Sequence, residues 1–370
     1  MNYAFAPGTT GQDRRVRRMF QRRPQSTLIA QRNNRSTVRQ FINHVSTSAA
    51  IPRPIDDLLI GTHANDEGFL FIPMFPGQNG ATVFETLEDA IADAAKSIAI
   101  PDATIGHNAG DPITHSFHIK GCNIGKARPI LVKLKEALGD NVHVTAPKHF
   151  HMLYYHSHYG VWEAMEYEFK IIRPNAFANR AAALADFQSN ANFTRIDGSA
   201  IPAADWNKWL PTRINRNNRK TVNVNLGQQI GSRSTIPALQ EFRSRTNQFV
   251  YTIAFPSAAD VPANRAAREA ARDQSLNNNP RFDANHDFPE YQRWGYRSVA
   301  DFIQGYNWNF GRNGRRLVCT GERHEYTVIV PILDPATGNI IFNFYPNAGS
   351  PHAAVTNGLV VSDARFFETV

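Results

Sequence analysis

Apolar residues in the first part of the chain follow two rhythms, short unbroken runs and residues spaced three and four apart, and these alternate. Ser26 to Ala30 reads as a short strand, and Ser36 to Val45 places Val38, Phe41, Ile42 and Val45 on one helical face. After the Pro52-Arg53-Pro54 break, Ile55 to Thr62 reads as a buried strand ending at His63. Phe69 to Pro73 reads as a second strand across the turn Asn65-Asp66-Glu67-Gly68. Phe84 to Ser97, with Leu87, Ala90, Ile91 and Ala94 at helical spacing, is a helix. A loop from Asp102 to Thr114 leads to a strand from Ser116 to Gly121, a helix from Ala127 to Leu138 stopped by Gly139, and a strand from Asn141 to Ala146. Strand, helix, strand, helix, strand in that order predicts an α/β module, a mostly parallel sheet with helices on both faces, over residues 26–147.

Beyond residue 147 the pattern predicts an α+β extension over 148–370 that completes the sheet and supplies pocket or regulatory loops. His151 to Tyr159 and Val161 to Ile172 read as a hairpin about Gly160, and Ala178 to Phe187 as a helix. Asn190 to Ser234 is a polar stretch without clear periodicity. Phe249 to Phe255 is a strand, Ala263 to Arg272 and Val299 to Tyr306 are helices, and Asn277 to Asn285 is a polar loop. Tyr326 to Leu333 and Asn339 to Tyr345 form a hairpin across the turn Asp334 to Gly338.

Composition narrows the class. With 370 residues, 42% hydrophobic and 19% charged, the chain has the make-up of a globular protein of two modules. Its net charge of +8 comes from 31 Arg and only 9 Lys, and Arg14, Arg15, Arg17, Arg18, Arg22 and Arg23 lie in the first 25 residues, which read as a basic arm or a solvated face. Such an arm allows a nucleic-acid or acidic partner. Two cysteines, Cys122 and Cys319, leave no disulfide framework and no paired-cysteine metal motif. No apolar run has the length of a membrane span or a secretory leader, so the expectation is a cytoplasmic protein with no membrane partner.

Two strand ends carry candidate chemistry. His63 closes one apolar run and Cys122 follows another, 59 positions later, and neighbouring parallel strands would bring base and thiol to one rim. Gly121 and Asn123-Ile124-Gly125 around the thiol suit a tight turn into the next helix, whose N-terminal amides favour a thiolate. The backbone amides of Ala64 and Cys122 are candidates for an oxyanion hole. Asp66, Glu67 and Asp111, in loops above the sheet, would select a basic substrate residue. No metal or other cofactor is needed for this chemistry. His149, His151, His156 and His158 alternate on strand faces but lack a further ligand at diagnostic spacing, and Cys319 reads as structural.

An apolar strand ending in His, a short turn to a second apolar run, and a later strand ending Gly-Cys-Asn-Ile-Gly resemble the caspase-like cysteine peptidases, most of all the gingipain and CHAT-type branch. The resemblance covers roughly residues 26–147. It implies a caspase-like fold, a His63–Cys122 dyad, and cysteine endopeptidase activity on a protein or peptide substrate, with a regulator as a further partner. One departure is Ala64, where the family has glycine after the catalytic histidine, and a degenerate, non-cleaving scaffold is the corresponding alternative. A rival of a different class is an Arg-rich binding protein in which Trp294, Tyr296, Trp308 and Phe310 stack bases beside Arg293, Arg297, Arg312 and Arg315.

Overall fold

The computed structural model describes residues 2–8, 11–24, 26–29, 37–105 and 116–370. In chain order its elements are β1 (Asn2–Phe5), α1 (Gly11–Arg22), β2 (Ser26–Leu28), α2 (Val38–Thr47), β3 (Leu58–Gly61), α3 (Phe84–Ala92), β4 (Ser116–Lys120), α4 (Arg128–Ala137), β5 (His143–Pro147), β6 (Phe150–His156) and β7 (Gly160–Arg173). There follow α5 (Arg180–Ser189), α6 (Ala203–Trp209), β8 (Asn218–Ile230), β9 (Arg233–Ala254), α7 (Arg265–Asn277), α8 (Glu290–Arg293), α9 (Val299–Gln304), β10 (Asn307–Asn313), β11 (Arg316–Pro331), β12 (Phe342–Pro346), β13 (Val355–Asn357) and β14 (Phe367–Thr369). The fold is mixed α/β, with a parallel-rich sheet and a second, antiparallel one. The chain divides into two compact units, Met1–Tyr167 with Val222–Ala238 and Pro331–Val370, and Glu168–Thr221 with Leu239–Val330.

The first unit holds the parallel-rich sheet, in the order β14-β5-β4-β3-β1-β2, with only β14 antiparallel to its neighbour. From β1 the chain steps one way to β2 and then back past β1 to β3, β4 and β5. Right-handed crossovers then put α1 on one face and α2, α3 and α4 on the other. The side chains agree: Phe41 of α2 stacks on Phe5 at 5.0 Å, while Val16, Met19 and Phe20 of α1 pack with Ala4, Ala6 and Leu59. The spacing at Val38, Phe41, Ile42 and Val45 reads α2 correctly, since these four are its buried residues. Thr37 starts that helix in a capping box with Gln40, its hydroxyl accepting the Gln40 N–H and the Gln40 side chain accepting the Thr37 N–H. Gly61 lets α1 approach β3, because a Cβ there would lie 2.2 Å from Val16 Cγ1.

The described residues of this N-terminal stretch are therefore no arm. They supply β1, paired on both sides by β2 and β3, and α1, whose Val16, Met19 and Phe20 are buried. Several of the arginines on the polar side of that helix bind within the unit. Arg18 lies over the Tyr155 ring at 4.1 Å, Arg22 Nε donates to Asn347 Oδ1 at 2.9 Å, and Arg17 donates to the Ala6 carbonyl at 3.0 Å. A strand of four residues next to an Arg-rich run gives too little apolar signal to stand out.

A second layer of the first unit lies on the α1 side. β6 and β12 both pair antiparallel with β7, and β13 pairs with β12. Leu153, Val161 and Tyr345 face the α1 cluster, and Trp162, Ala164, Phe342 and Phe344 on the opposite face pack with Leu226, Ile230, Ile236, Ala238 and Ile340. The hairpin about Gly160 forms as expected. The one expected from Tyr326 to Tyr345 does not: Leu333 bridges Ile340, but β12 then pairs with β7. Phe69 to Pro73 is no strand either, because Leu70 is held by isolated bridges to Ala64 and Thr82. Of the extension, β14 does join the first sheet, beside β5.

In the second unit β9 pairs with β11 and β10 with the other side of β11, all antiparallel. Their inner face and the helices bury Leu276, Phe302, Tyr306, Trp308, Leu317 and Cys319. Trp294, Tyr296 and Phe310 pack against this core, and the Arg323 guanidinium, almost wholly buried, lies over the rings of Trp294, Tyr296 and Tyr306. The rings that would stack bases are thus committed to a core. The polar stretch from Asn190 to Ser234 contains α6 and the whole of β8, which the sequence does not reveal because β8 buries only Val224, Leu226 and Ile230.

Candidate active site

β3 and β4 are adjacent and parallel, with Leu58 opposite Phe117 and Gly61 opposite Lys120. The pairing continues past the strand ends, where the Thr62 N–H donates to the Lys120 carbonyl at 3.3 Å. A Cβ on Gly121 would sit 2.8 Å from Ala64 Cβ and 3.1 Å from the Thr62 carbonyl, so the residues on either side of His63 touch the residue before Cys122. Both candidate residues therefore occupy one carboxyl rim, and both are half-buried.

The His63 turn is set by its backbone. Phe71 N–H donates to the His63 carbonyl at 2.9 Å and Asn65 N–H to the Phe69 carbonyl at 3.2 Å, which leaves the Ala64 N–H outside that bridge's own hydrogen bonds. Among the described non-glycine residues only Asn123 and Asp140 have positive φ, so Ala64 takes an ordinary backbone conformation and the missing glycine causes no strain there. Asp66 and Glu67 lie in the turn after His63, where Asn65 Nδ2 donates to Glu67 Oε2 at 3.3 Å. Asp111 lies outside the described residues.

Around Cys122 one expectation changes. A short 3-10 turn, Ile124–Lys126, precedes α4, so the amides nearest the thiol belong to that turn and not to the helix. Asn123, with φ 56°, gives its N–H to the His149 carbonyl at 3.0 Å. The Cys122 thiol donates to the His151 carbonyl, Sγ to O 3.6 Å. Cys319 is sealed in the second unit's core, where burial pushes its thiol up to about 11.

Directly beneath Cys122 lies a charged network that the sequence reading missed. Lys120, two residues before the thiol, donates from Nζ to Glu163 Oε1 at 2.7 Å, and both groups are buried. The same oxygen accepts His151 Nε2 at 2.8 Å, and Glu163 Oε2 accepts the Tyr345 hydroxyl at 2.9 Å and Asn343 Nδ2 at 3.3 Å. Burial alone would push the Glu163 carboxyl up, but the Lys120 ammonium and the His151 hydrogen bond hold it well below the ordinary range. Glu163 is thus an ionised carboxylate, saturated by four donors. The available signal was a single charge inside each of two apolar runs, Phe117-His118-Ile119-Lys120 and Val161-Trp162-Glu163-Ala164.

The other histidines are dispersed. His149 Nε2 donates to the Arg365 carbonyl at 3.0 Å, and His156 and His158 pack on Tyr159, each with 4.8 Å between ring centroids. No group of three or more His, Cys, Asp or Glu side chains that could hold a metal occurs among the described residues. Nor is any described helix long and apolar enough to cross a membrane. In comparison with known proteins, the chain matches no protein-family model, no curated protein and no solved structure.

Proposed function

We propose that the first unit is a cysteine hydrolase of the caspase-like kind, acting on peptide bonds, with Cys122 as nucleophile and His63 as its proton-transfer partner. What supports it is the shared rim: β3 and β4 are neighbours in register, and the flanks of His63 touch Gly121. His63 also closes β3, one of the two strands flanking the point between β1 and β3 where the crossovers reverse, the place at which open α/β sheets collect ligands.

In this reading His63 takes the Cys122 proton as sulfur attacks the substrate carbonyl carbon. The C–N bond then breaks as the His63 imidazolium protonates the departing amine, and water hydrolyses the thioester with His63 again accepting a proton. The Ala64 N–H, outside its bridge's hydrogen bonds, would bind the oxyanion together with the Cys122 N–H. Asp66 and Glu67, on the turn that follows His63, would favour a basic residue before the cut. The test is cleavage of a fluorogenic peptide library. Cys122→Ala and His63→Ala should each abolish turnover, and Asp66→Asn with Glu67→Gln should weaken the preference for Arg and Lys. A Cys122→Ala protein that cleaves as the parent does removes the proposal.

A further inference from the structure

The backbone from Lys120 to Cys122 closes a ring through space. Lys120 Nζ reaches Glu163 at 2.7 Å, Glu163 reaches His151 at 2.8 Å, and the His151 carbonyl receives the Cys122 thiol at 3.6 Å. We infer that Glu163 and His151 are positioning residues for Cys122: the saturated carboxylate fixes His151, and the His151 carbonyl is the rest on which the sulfur is parked before reaction. The inference deepens the reading of Cys122 as a nucleophile, but the position of the sulfur can be measured without any substrate.

Three observations carry it. Lys120, His151 and Glu163 come from three different strands, β4, β6 and β7, and Cys122 follows β4, so no single element sets where the thiol lies. Glu163 has all four acceptor directions filled by Lys120, His151, Tyr345 and Asn343, which leaves it one arrangement and not several. Asn343 is tied down in turn, its Nδ2 also donating to the Leu359 carbonyl at 2.9 Å. A thiol donating to a carbonyl is held in its neutral form, so the parked sulfur must leave His151 to become the attacking thiolate.

The experiment is the pH dependence of iodoacetamide alkylation of the full chain, read by mass on each cysteine peptide. Cys319 is buried with a raised thiol, so native wild type should take one label, on Cys122. Tyr345→Phe removes one donor from Glu163. Lys120→Met with Glu163→Leu removes the ion pair together, leaving no lone buried charge. In both variants the unparked sulfur should titrate about half a unit lower and alkylate about threefold faster at neutral pH, with one label and an unchanged far-UV spectrum. Peptide acylation should move the opposite way, kcat falling while KM holds. An unchanged alkylation midpoint in both variants, or a change that comes only with labelling of Cys319, overturns the inference. A wild type that cleaves no peptide yet shows the alkylation shift removes the proposed activity and keeps the positioning role.

Discussion

At the scale of single residues, the buried Lys120–Glu163 pair shows charge matched by charge inside the first unit. Lys120 and Glu163 cost desolvation when taken from water, and a lone survivor of the pair would be strongly destabilising. His149 illustrates a different balance. Burial, helped by the nearby Lys126 ammonium, lowers its imidazole to about 4, with the bond to the Arg365 carbonyl opposing the shift. The unfolded chain therefore takes up this proton first as the pH falls from 6.5. The contribution of a neutral His149 is fully present above that value and drains away down to about 4. His149→Gln, which can still donate to the Arg365 carbonyl, should flatten the decline of the thermal midpoint across this window. An unaltered decline would show that other groups set it.

At the scale of elements, close approach decides more than propensity. α1 has Arg at five of its twelve positions and is held by three apolar contacts on one side, and its seat against β3 exists because residue 61 has no side chain. Gly61→Ala should destabilise the protein by about 1–3 kcal/mol through overpacking. Val16→Ala in the same chain should recover much of that loss, because Val16 Cγ1 is the atom the new methyl would strike. Urea unfolding of the two single variants and the double variant gives the coupling, and strictly additive effects would place the strain elsewhere. What could be read in advance follows the same division. α2, β3, β4 and α4 announce themselves because period and burial agree, as at Val38, Phe41, Ile42 and Val45. β1 and β8 do not, one for want of length and the other because most of its side chains are exposed.

At the scale of the whole molecule, sequence order and spatial order part company, and that is where local reading stops. The parallel pairing of β3 with β4, which sets the residues that follow them on one rim, was legible, since strands of such a module tend to lie beside those near them in the chain. The network near that rim was not, since Glu163, Asn343 and Tyr345 lie 16, 196 and 198 residues beyond the module's end at residue 147 and show no motif. The same long-range order brings β14, from residues 367–369, back to β5, where Thr369 lies opposite Thr145 and Val370 exchanges hydrogen bonds with Val144. Without that strand, the backbone donors and acceptors of β5 would face outward as a template for another chain. Glu368→Pro, which takes a donor out of the ladder, should raise light scattering with concentration, and a variant that stays monomeric would show that the flank is guarded otherwise. β14 thus works as a stopper, sparing each copy from zipping onto the next in an open-ended stack.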